Sequence, residues 1–246
     1  LPGHYLRIDL NTFKTDTIKY WEPNFQVDHF HTQDFFEHEL NRLLEDTVRI
    51  QLRSDVPVGA YLSGGMDSSL VTVLGAKFLD KPITTFTGAF HEGKNFDETP
   101  YAKEVAKFAG ADSKLIYPTV DDFVELMPKL IYHMDEPVVG PGLFPQYMVY
   151  KLAKQHVKVV LGGQGGDEIF AGYTRYVVAY LEQALKAAIF ETQDEGDQFV
   201  SLDTILPNLP YLRIYVPMMR QFWKLGAFVE MDRRYFHLYD RSDGAL

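Results

Sequence analysis

Leu62-Ser63-Gly64-Gly65-Met66-Asp67-Ser68-Ser69 stands between an apolar run, Val58–Leu62, and a stretch of helical spacing, Ser68–Phe78. That order reads as strand, turn, helix. Two adjacent glycines let the backbone turn tightly and approach a ligand closely. The amides of the turn and of the helix start then point outward and form a concave donor site, where the helix dipole also favours an anion. The hydroxyls of Ser63, Ser68 and Ser69 add donors. A pyrophosphate group is the expected occupant. No Gly-Lys-Ser/Thr follows, so this is not the Walker loop. Tyr61 stands where the nucleophile elbow of hydrolases needs glycine. The plainer alternative is a glycine-rich turn in which Asp67 or Ser68 only caps a helix; the complete eight-residue string favours the ligand site.

Three more strand candidates follow: Ile83–Thr87, Lys114–Tyr117 and the nearly all-apolar Val157–Leu161. An apolar run of that kind suits a strand buried on both faces of a parallel sheet. Helical spacing covers Asp34–Leu52, where Asp34 and Glu37 resemble a capping box. It also covers Glu98–Ala109, with Asp97 as cap, Pro100 in the first turn and Gly110 at the stop. Asp121–His133 reads as a helix that Pro128 should kink, and Phe144–Gln155 as another. The alternation predicts a doubly wound parallel sheet with helices on both faces and right-handed crossovers. Beyond Tyr173 a helical, aromatic C-terminal extension follows. In it Glu191–Gln198 reads as a solvent loop, and Pro207, Pro210 and Pro217 interrupt the remainder. At the start, Leu6–Trp21 reads as a short hairpin around Asn11-Thr12.

A second glycine string, Gly162-Gly163-Gln164-Gly165-Gly166-Asp167-Glu168, follows the fourth strand directly. Alone it could be a glycine turn with solvated acids. In a doubly wound sheet, however, ligands bind at the carboxyl ends of strands where the strand order reverses. If the first and fourth strands are neighbours there, both strings face one cleft and Asp67 meets Asp167. Two carboxylates beside a triphosphate suit Mg²⁺, with phosphate oxygens and waters completing its octahedron. Asp135-Glu136-Pro137, ahead of the turn at Gly140–Gly142, leaves two readings open: part of a substrate wall, or an acidic cap and turn. His29 and His31 lack a third nearby ligand and carry no metal assignment.

The bulk composition narrows the partners. A chain of 246 residues, 46% hydrophobic and 24% charged, can bury an ordinary core as one large α/β domain or two small ones. No apolar run approaches the ~20 residues of a membrane helix, and no leader pattern opens the chain. The expectation is a soluble, cytoplasmic protein without membrane contact. A net charge of -10 disfavours nucleic acid as a partner. With no cysteine, the chain has no disulfide, no thiolate metal site and no thiol nucleophile.

The Ser63–Ser69 string resembles the pyrophosphate loop of the N-type ATP pyrophosphatases, a group with an adenine nucleotide α-hydrolase-like fold that includes asparagine, β-lactam, GMP and NAD synthetases. Leu52–Gly59, Phe96-Asp97-Glu98, Asp135-Glu136-Pro137 and the run from Gly163 through Tyr173 to Arg175-Tyr176 are similar to asparagine synthetase in particular. Pro2–Tyr5 and Tyr20-Trp21 resemble that family's join between glutaminase and synthetase domains. Residues 1–30 are therefore expected to be a linker or remnant of a glutaminase domain. Residues 31–246 are expected to be the synthetase domain, cut short of a catalytic lysine that the family carries further on. With that lysine missing and no thiol present, this chain alone is expected to make little or no asparagine.

The resemblance implies attack of the aspartate side-chain carboxylate on the α-phosphate of ATP, release of pyrophosphate, then displacement of AMP by ammonia. ATP and Mg²⁺ are the implied cofactors. The implied partners are aspartate, ammonia and the glutaminase domain of the same protein. A homo-oligomer is compatible with the sequence. Asp67, Asp167, Glu168 and Gln164 are the implied catalytic residues, with Asp67 and Asp167 as metal ligands. Leu62, Thr87, Gly88, Gly162 and Gly163 would line adenine and ribose, and Ser63, Gly64, Gly65, Asp67, Ser68 and Ser69 would hold the phosphates. Asp135, Glu136, Tyr173 and Arg175 are candidates for substrate contact. Gln164 departs from the glutamate that many asparagine synthetases carry there. Amide formation on another carboxylate, or nucleotide binding without turnover, are the competing readings.

Overall fold

The computed structural model describes residues 1–24, 28, 30–90, 97–135, 140, 142–190, 205–224, 226–229 and 234. The chain divides between Glu37 and His38 into two compact units. The first holds an antiparallel hairpin, β1 (His4–Ile8) and β2 (Thr15–Lys19), in register from His4↔Lys19 to Ile8↔Thr15. Its turn is shaped by Asp9, whose Oδ1 accepts from the amides of Asn11 (2.8 Å) and Thr12 (2.9 Å). Those bonds hold the Asp9 carboxyl below its ordinary pKa.

Helix α1 (Gln33–Gln51) begins one residue before the expected Asp34. Its start is closed by Thr32, whose Oγ1 accepts from the Phe35 amide at 3.4 Å. Glu37 accepts from Gln33 Nε2 at 2.7 Å, so the capping box expected between Asp34 and Glu37 does not form.

The second unit is built on four parallel strands: β3 (Val58–Tyr61), β4 (Thr84–Gly88), β5 (Asp112–Ile116) and β6 (Val159–Leu161), in the order β5-β4-β3-β6. Between them run α2 (Met66–Phe78), α3 (Thr99–Phe108), α4 (Val120–Met134) and α5 (Leu143–Ala153). The chain builds outward from β3 to β5, then returns across β3 to lay down β6. The order therefore reverses between β3 and β6, as the doubly wound reading requires.

The sheet is buried on both faces. Ala60, Ile83 and Leu161 pack with Val48 of α1 and with Val71 and Leu74 of α2. Phe86 packs on the opposite face with Ala153, Val157 and Val149 around α5. Glycine is needed at position 59 of β3 because a Cβ there would lie 2.7 Å from both Phe86 Cε2 and the Thr84 carbonyl oxygen.

The helix ends follow local chemistry. Asp97 Oδ1 accepts from the amide and hydroxyl of Thr99 (3.0 and 2.6 Å) at the start of α3, and Gly110 at its stop takes φ +62°. A capping box of Thr119 and Asp122 opens α4. The helix runs through Pro128, as expected. The carbonyl deprived of its donor four residues back belongs to exposed Val124, where water can satisfy it.

Beyond the sheet lie the short α6 (Gly166–Ile169), α7 (Thr174–Phe190), a 3-10 segment (Leu206–Tyr215) and α8 (Val216–Trp223). Pro207 and Pro217 sit in the first turns of the last two, where a missing amide costs nothing. Leu181 and Ala184 of α7 pack with Ile205 and Leu212. Beside them Glu182 is buried and accepts four hydrogen bonds: from Trp223 Nε1, from the Phe228 amide at 3.0 Å, and from both terminal nitrogens of Arg234. Burial pushes the Glu182 carboxyl up, but these donors outweigh it and hold the pKa below its ordinary value. The stretch expected as a solvent loop, Glu191–Gln198, lies outside the described residues. No helix among those residues is long and apolar enough to cross a membrane.

Candidate functional site

β3 and β6 end side by side, and each runs into a glycine turn. A cavity of about 760 Å³ opens between the two turns. Ser63, Gly65, Asp67 and Ser68 line it from the first, and Gly162, Gly163, Gln164 and Asp167 from the second. Gly88 lines it from the end of β4. The two glycine strings expected to share a cleft thus do so, with one carboxylate from each.

The turns pack back to back. A Cβ on Gly163 would lie 2.7 Å from the Ser68 amide nitrogen and 2.9 Å from the Asp67 carbonyl carbon. A Cβ on Gly166 would lie 2.3 Å from Cγ and Oδ2 of Asp67. A side chain at 163 would meet backbone and push the second turn off the first, whereas one at 166 would displace the Asp67 carboxylate.

The first turn is stapled by its own serines. Ser68 Oγ accepts from the Ser63 amide at 3.2 Å and donates to the Gly65 carbonyl at 3.1 Å. Ser69 Oγ donates to the same carbonyl at 2.7 Å, and Ser63 Oγ accepts from the Gly65 amide at 3.2 Å. A hydroxyl has one proton, so Ser68 and Ser69 spend theirs shaping the loop rather than on the cavity. The start of α2 is left open. Its N-cap residue is Gly65, and no side chain there supplies a capping bond. The first amides of a helix have no partner within it; here they belong to Met66, Asp67 and Ser68, all lining the cavity.

Other candidate residues lie behind the lining. Leu62 is buried, and its carbonyl accepts from Thr87 Oγ1 at 2.6 Å, so this pair ties β3 to β4 beneath the site. Gly64 packs against Glu98 and Tyr101 at the start of α3. Glu168 does not line the cavity; its Oε1 accepts from Tyr173 Oη at 2.8 Å. The Arg175 guanidinium lies over the Tyr173 ring, 3.6 Å from its centroid. The bond to Glu168, then burial, then the charges of Glu168 and Asp167 push the Tyr173 phenol pKa up, with Arg175 opposing. Asp135 is exposed at the C-terminal cap of α4, with φ +59°, and is not among the lining residues. Glu136 lies outside the described residues, as does His29.

One wall of the cavity had no forerunner in the sequence reading. α5 contributes Pro145, Gln146, Val149 and Tyr150, which lie on one face at i, i+1, i+4 and i+5. Tyr61 joins them, its ring centroid 5.0 Å from that of Tyr150. Burial, with Tyr150 alongside, pushes the Tyr61 phenol pKa up. Phe90 and Phe170 complete an aromatic rim. The one sequence signal for this wall is Gln146, an amide side chain among the apolar and aromatic residues of Leu143–Tyr150.

The family model described as asparagine synthase matches residues 39–238, which include both turns and all of the sheet. This chain belongs to the asparagine synthase family. Among curated relatives it is similar to asparagine synthetase (glutamine-hydrolysing) 1 of Bacillus subtilis, 39% identical over 167 residues, covering 67% of this chain and 25% of that protein. It is also similar to the asparagine synthetase (glutamine-hydrolysing) of Sandersonia aurantiaca, 32% identical over 183 residues, covering 70% and 34%. A third relative, amidase chyE of Penicillium rubens, is 31% identical over 194 residues, covering 72% and 29%. The chain thus spans about a quarter to a third of the length of these asparagine synthase relatives. Among solved structures, an NH3-dependent NAD synthetase from Campylobacter jejuni aligns with a TM-score of 0.43 at 14% identity, covering 85% of this chain and 94% of that one.

Proposed function

We propose that this domain binds Mg-ATP at the β3–β6 cleft and uses it to make an amide, with the side-chain carboxylate of aspartate as acceptor and ammonia as nitrogen donor. The observation that carries the reading is the open start of α2, whose first residues line the same cavity as Asp167. Outward-facing amides and the helix dipole suit the phosphates. The two carboxylates would repel a triphosphate unless a cation lay between them. Oxygen donors of this kind fit Mg²⁺, which binds through one or two carboxylates plus phosphate oxygens. When bound, the ion neutralises charge on the leaving pyrophosphate.

In the proposed reaction a carboxylate oxygen attacks the α-phosphorus and the α–β anhydride bond breaks. Pyrophosphate leaves with the bonding electrons, its growing charge met by the amides of Met66–Ser68. Ammonia then attacks the acyl carbon, a proton is lost, and AMP departs. Gln164 lies on the lining between the two turns, where its amide can donate to the acyl oxygen or accept from the incoming amine. The α5 wall and Tyr61 offer an apolar surface for the base or the acceptor. Ammonia would come from glutamine hydrolysed by another domain of the full-length protein, in keeping with the names of the Bacillus and Sandersonia relatives.

The test is the nucleotide product. Turnover of the full-length protein with aspartate, Mg-ATP and ammonium should give AMP and pyrophosphate, separable by chromatography; ADP as the main product would sink the reading. A second reading, amide formation on another carboxylate, is favoured by the likeness to a protein named as an amidase. Pyrophosphate release that depends on a carboxylate other than aspartate would select it.

A further inference from the structure

The stretch from Asp167 to Arg175 closes on itself beside the cavity. Asp167 lines the cavity, whereas Glu168, its neighbour, turns away and accepts from Tyr173. The Gly172 amide donates to the Asp167 carbonyl at 2.9 Å. A Cβ on Gly172 would fall 2.1 Å from Asp167 Oδ1, so the carboxylate rests on the bare Cα of Gly172. Between these residues Ala171 takes φ +56°, a left-handed conformation that a non-glycine residue adopts only when its surroundings impose it. Tyr173 is gripped from two sides, by the Arg175 guanidinium over its face and by Tyr176 edge-on at 5.6 Å.

We propose that Glu168 and Tyr173 form a clasp that positions the Asp167 carboxylate for the metal–nucleotide complex. The inference rests on the reading of Asp167 as a metal ligand. Glu168 is in this view a positioning residue: it touches neither nucleotide nor acceptor. The turn from Phe170 to Gly172 is short, and its middle residue, Ala171, is held in the left-handed conformation. The Tyr173 hydroxyl ties its far end to Glu168 and so keeps Gly172 under Asp167. Without that bond the turn relaxes, Gly172 withdraws, and Asp167 loses the surface that fixes its rotamer.

The experiment is calorimetric titration of the intact protein with ATP, once with Mg²⁺ and once with chelator, on Asp167→Ala, Tyr173→Phe, Glu168→Gln and Glu168→Ala. Tyr173→Phe keeps the ring and its stacking but loses the donor. It should weaken binding with Mg²⁺ on the order of tenfold, as expected for a hydrogen bond to a charged group, and leave binding in chelator unchanged. Glu168→Ala should match it, and the Tyr173→Phe/Glu168→Ala double variant should add nothing further. Glu168→Gln keeps an acceptor oxygen and should stay near the parent protein. Equal weakening with and without Mg²⁺, or a Tyr173→Phe variant like the parent while Asp167→Ala loses Mg²⁺-dependent binding, would overturn the clasp. Unchanged Mg²⁺ dependence in Asp167→Ala would instead overturn the metal-ligand reading beneath it. Thermal melting of each variant separates loss of fold from either result.

Discussion

Replacing Gly166 or Gly163 by alanine adds one methyl group to the same turn, yet the two changes should behave oppositely. At position 166 the new Cβ meets Cγ and Oδ2 of Asp67 at 2.3 Å. Non-bonded heavy atoms settle near 3.5–4.0 Å, so the carboxylate must retreat by about 1 Å. It is the free end of a side chain and can do so cheaply. Gly166 is also the first residue of α6, where alanine is the better helix former. Gly166→Ala should therefore melt like the parent protein but misplace a proposed metal ligand, and misplacement of about 1 Å costs ~100-fold in rate. At position 163 the Cβ meets backbone: the Ser68 nitrogen at 2.7 Å and the Asp67 carbonyl carbon at 2.9 Å. Nothing there can rotate away, so the two turns must part. Overpacking of this kind costs roughly 1–3 kcal/mol, and each kcal/mol lowers the melting temperature by about 2–4 °C in a domain of this size. The assays are thermal melting by circular dichroism and pyrophosphate release from the full-length protein. Parent-like pyrophosphate release in Gly166→Ala, or parent-like melting in Gly163→Ala, would refute the close approach of the turns on which the reasoning stands.

Other changes test other links. Thr87→Val removes the buried hydroxyl that donates to the Leu62 carbonyl, and should cost about 1–3 kcal/mol in a denaturant melt because that carbonyl is left without a partner. Arg234→Met leaves Glu182 buried without its charged partner and should cost about 3–5 kcal/mol, whereas replacing both by apolar residues of similar volume should cost far less; equal losses in the two melts would argue against a buried ion pair. Because the Glu182 pKa is depressed in the folded protein, its contribution to stability is complete above the ordinary carboxylate pKa and is lost as pH falls through the depressed value. Denaturant melts across the acidic range should show this loss in the parent protein and not in the variant lacking both partners. Thr119→Ala breaks the capping box of α4 and should cost ~1 kcal/mol, read as a shift in denaturant midpoint at constant slope.

The parts of the site legible in the sequence are those whose chemistry is local. Ser63–Ser69 and Gly162–Glu168 declare themselves because glycines, hydroxyls and acids cluster within a few residues of a strand end. Their convergence was conditional on strand order, which the alternation of strands and helices left open and the pairing of β3 with β6 supplies. The α5 wall was not legible, because Val149 and Tyr150 at helical spacing look like any core-facing pair. Only the placement of α5 over the carboxyl end of the sheet makes them lining. Glu168 misled for the same reason: an acid beside a glycine string looks ligand-facing, and its turn toward Tyr173 is settled five residues later. The start of α1 was misplaced because Asp34 and Glu37 match a capping pattern, while the hydroxyl that closes the helix belongs to Thr32, two residues earlier. The Glu182–Arg234 pair leaves no local trace, since 52 positions separate its members.

The reversal of strand order between β3 and β6 has a bearing on how the protein is made. Ser63 and Gly163 are 100 positions apart in the chain, and among the described residues the strand carrying the second turn is the last to join the sheet in sequence order. A ribosome that has released β3, β4 and β5 has released an open sheet with half a cleft. Nucleotide has nothing to close on until β6 slots in beside the first-made strand, a pairing whose loop-closure entropy is among the largest in the domain. Ligand that binds only the finished cleft stabilises only the finished sheet. Mg-ATP should accordingly raise hydrogen-exchange protection of Val159–Leu161 and of Val58–Tyr61 together. On this account the nucleotide fastens the final strand of the sheet as well as taking part in the chemistry.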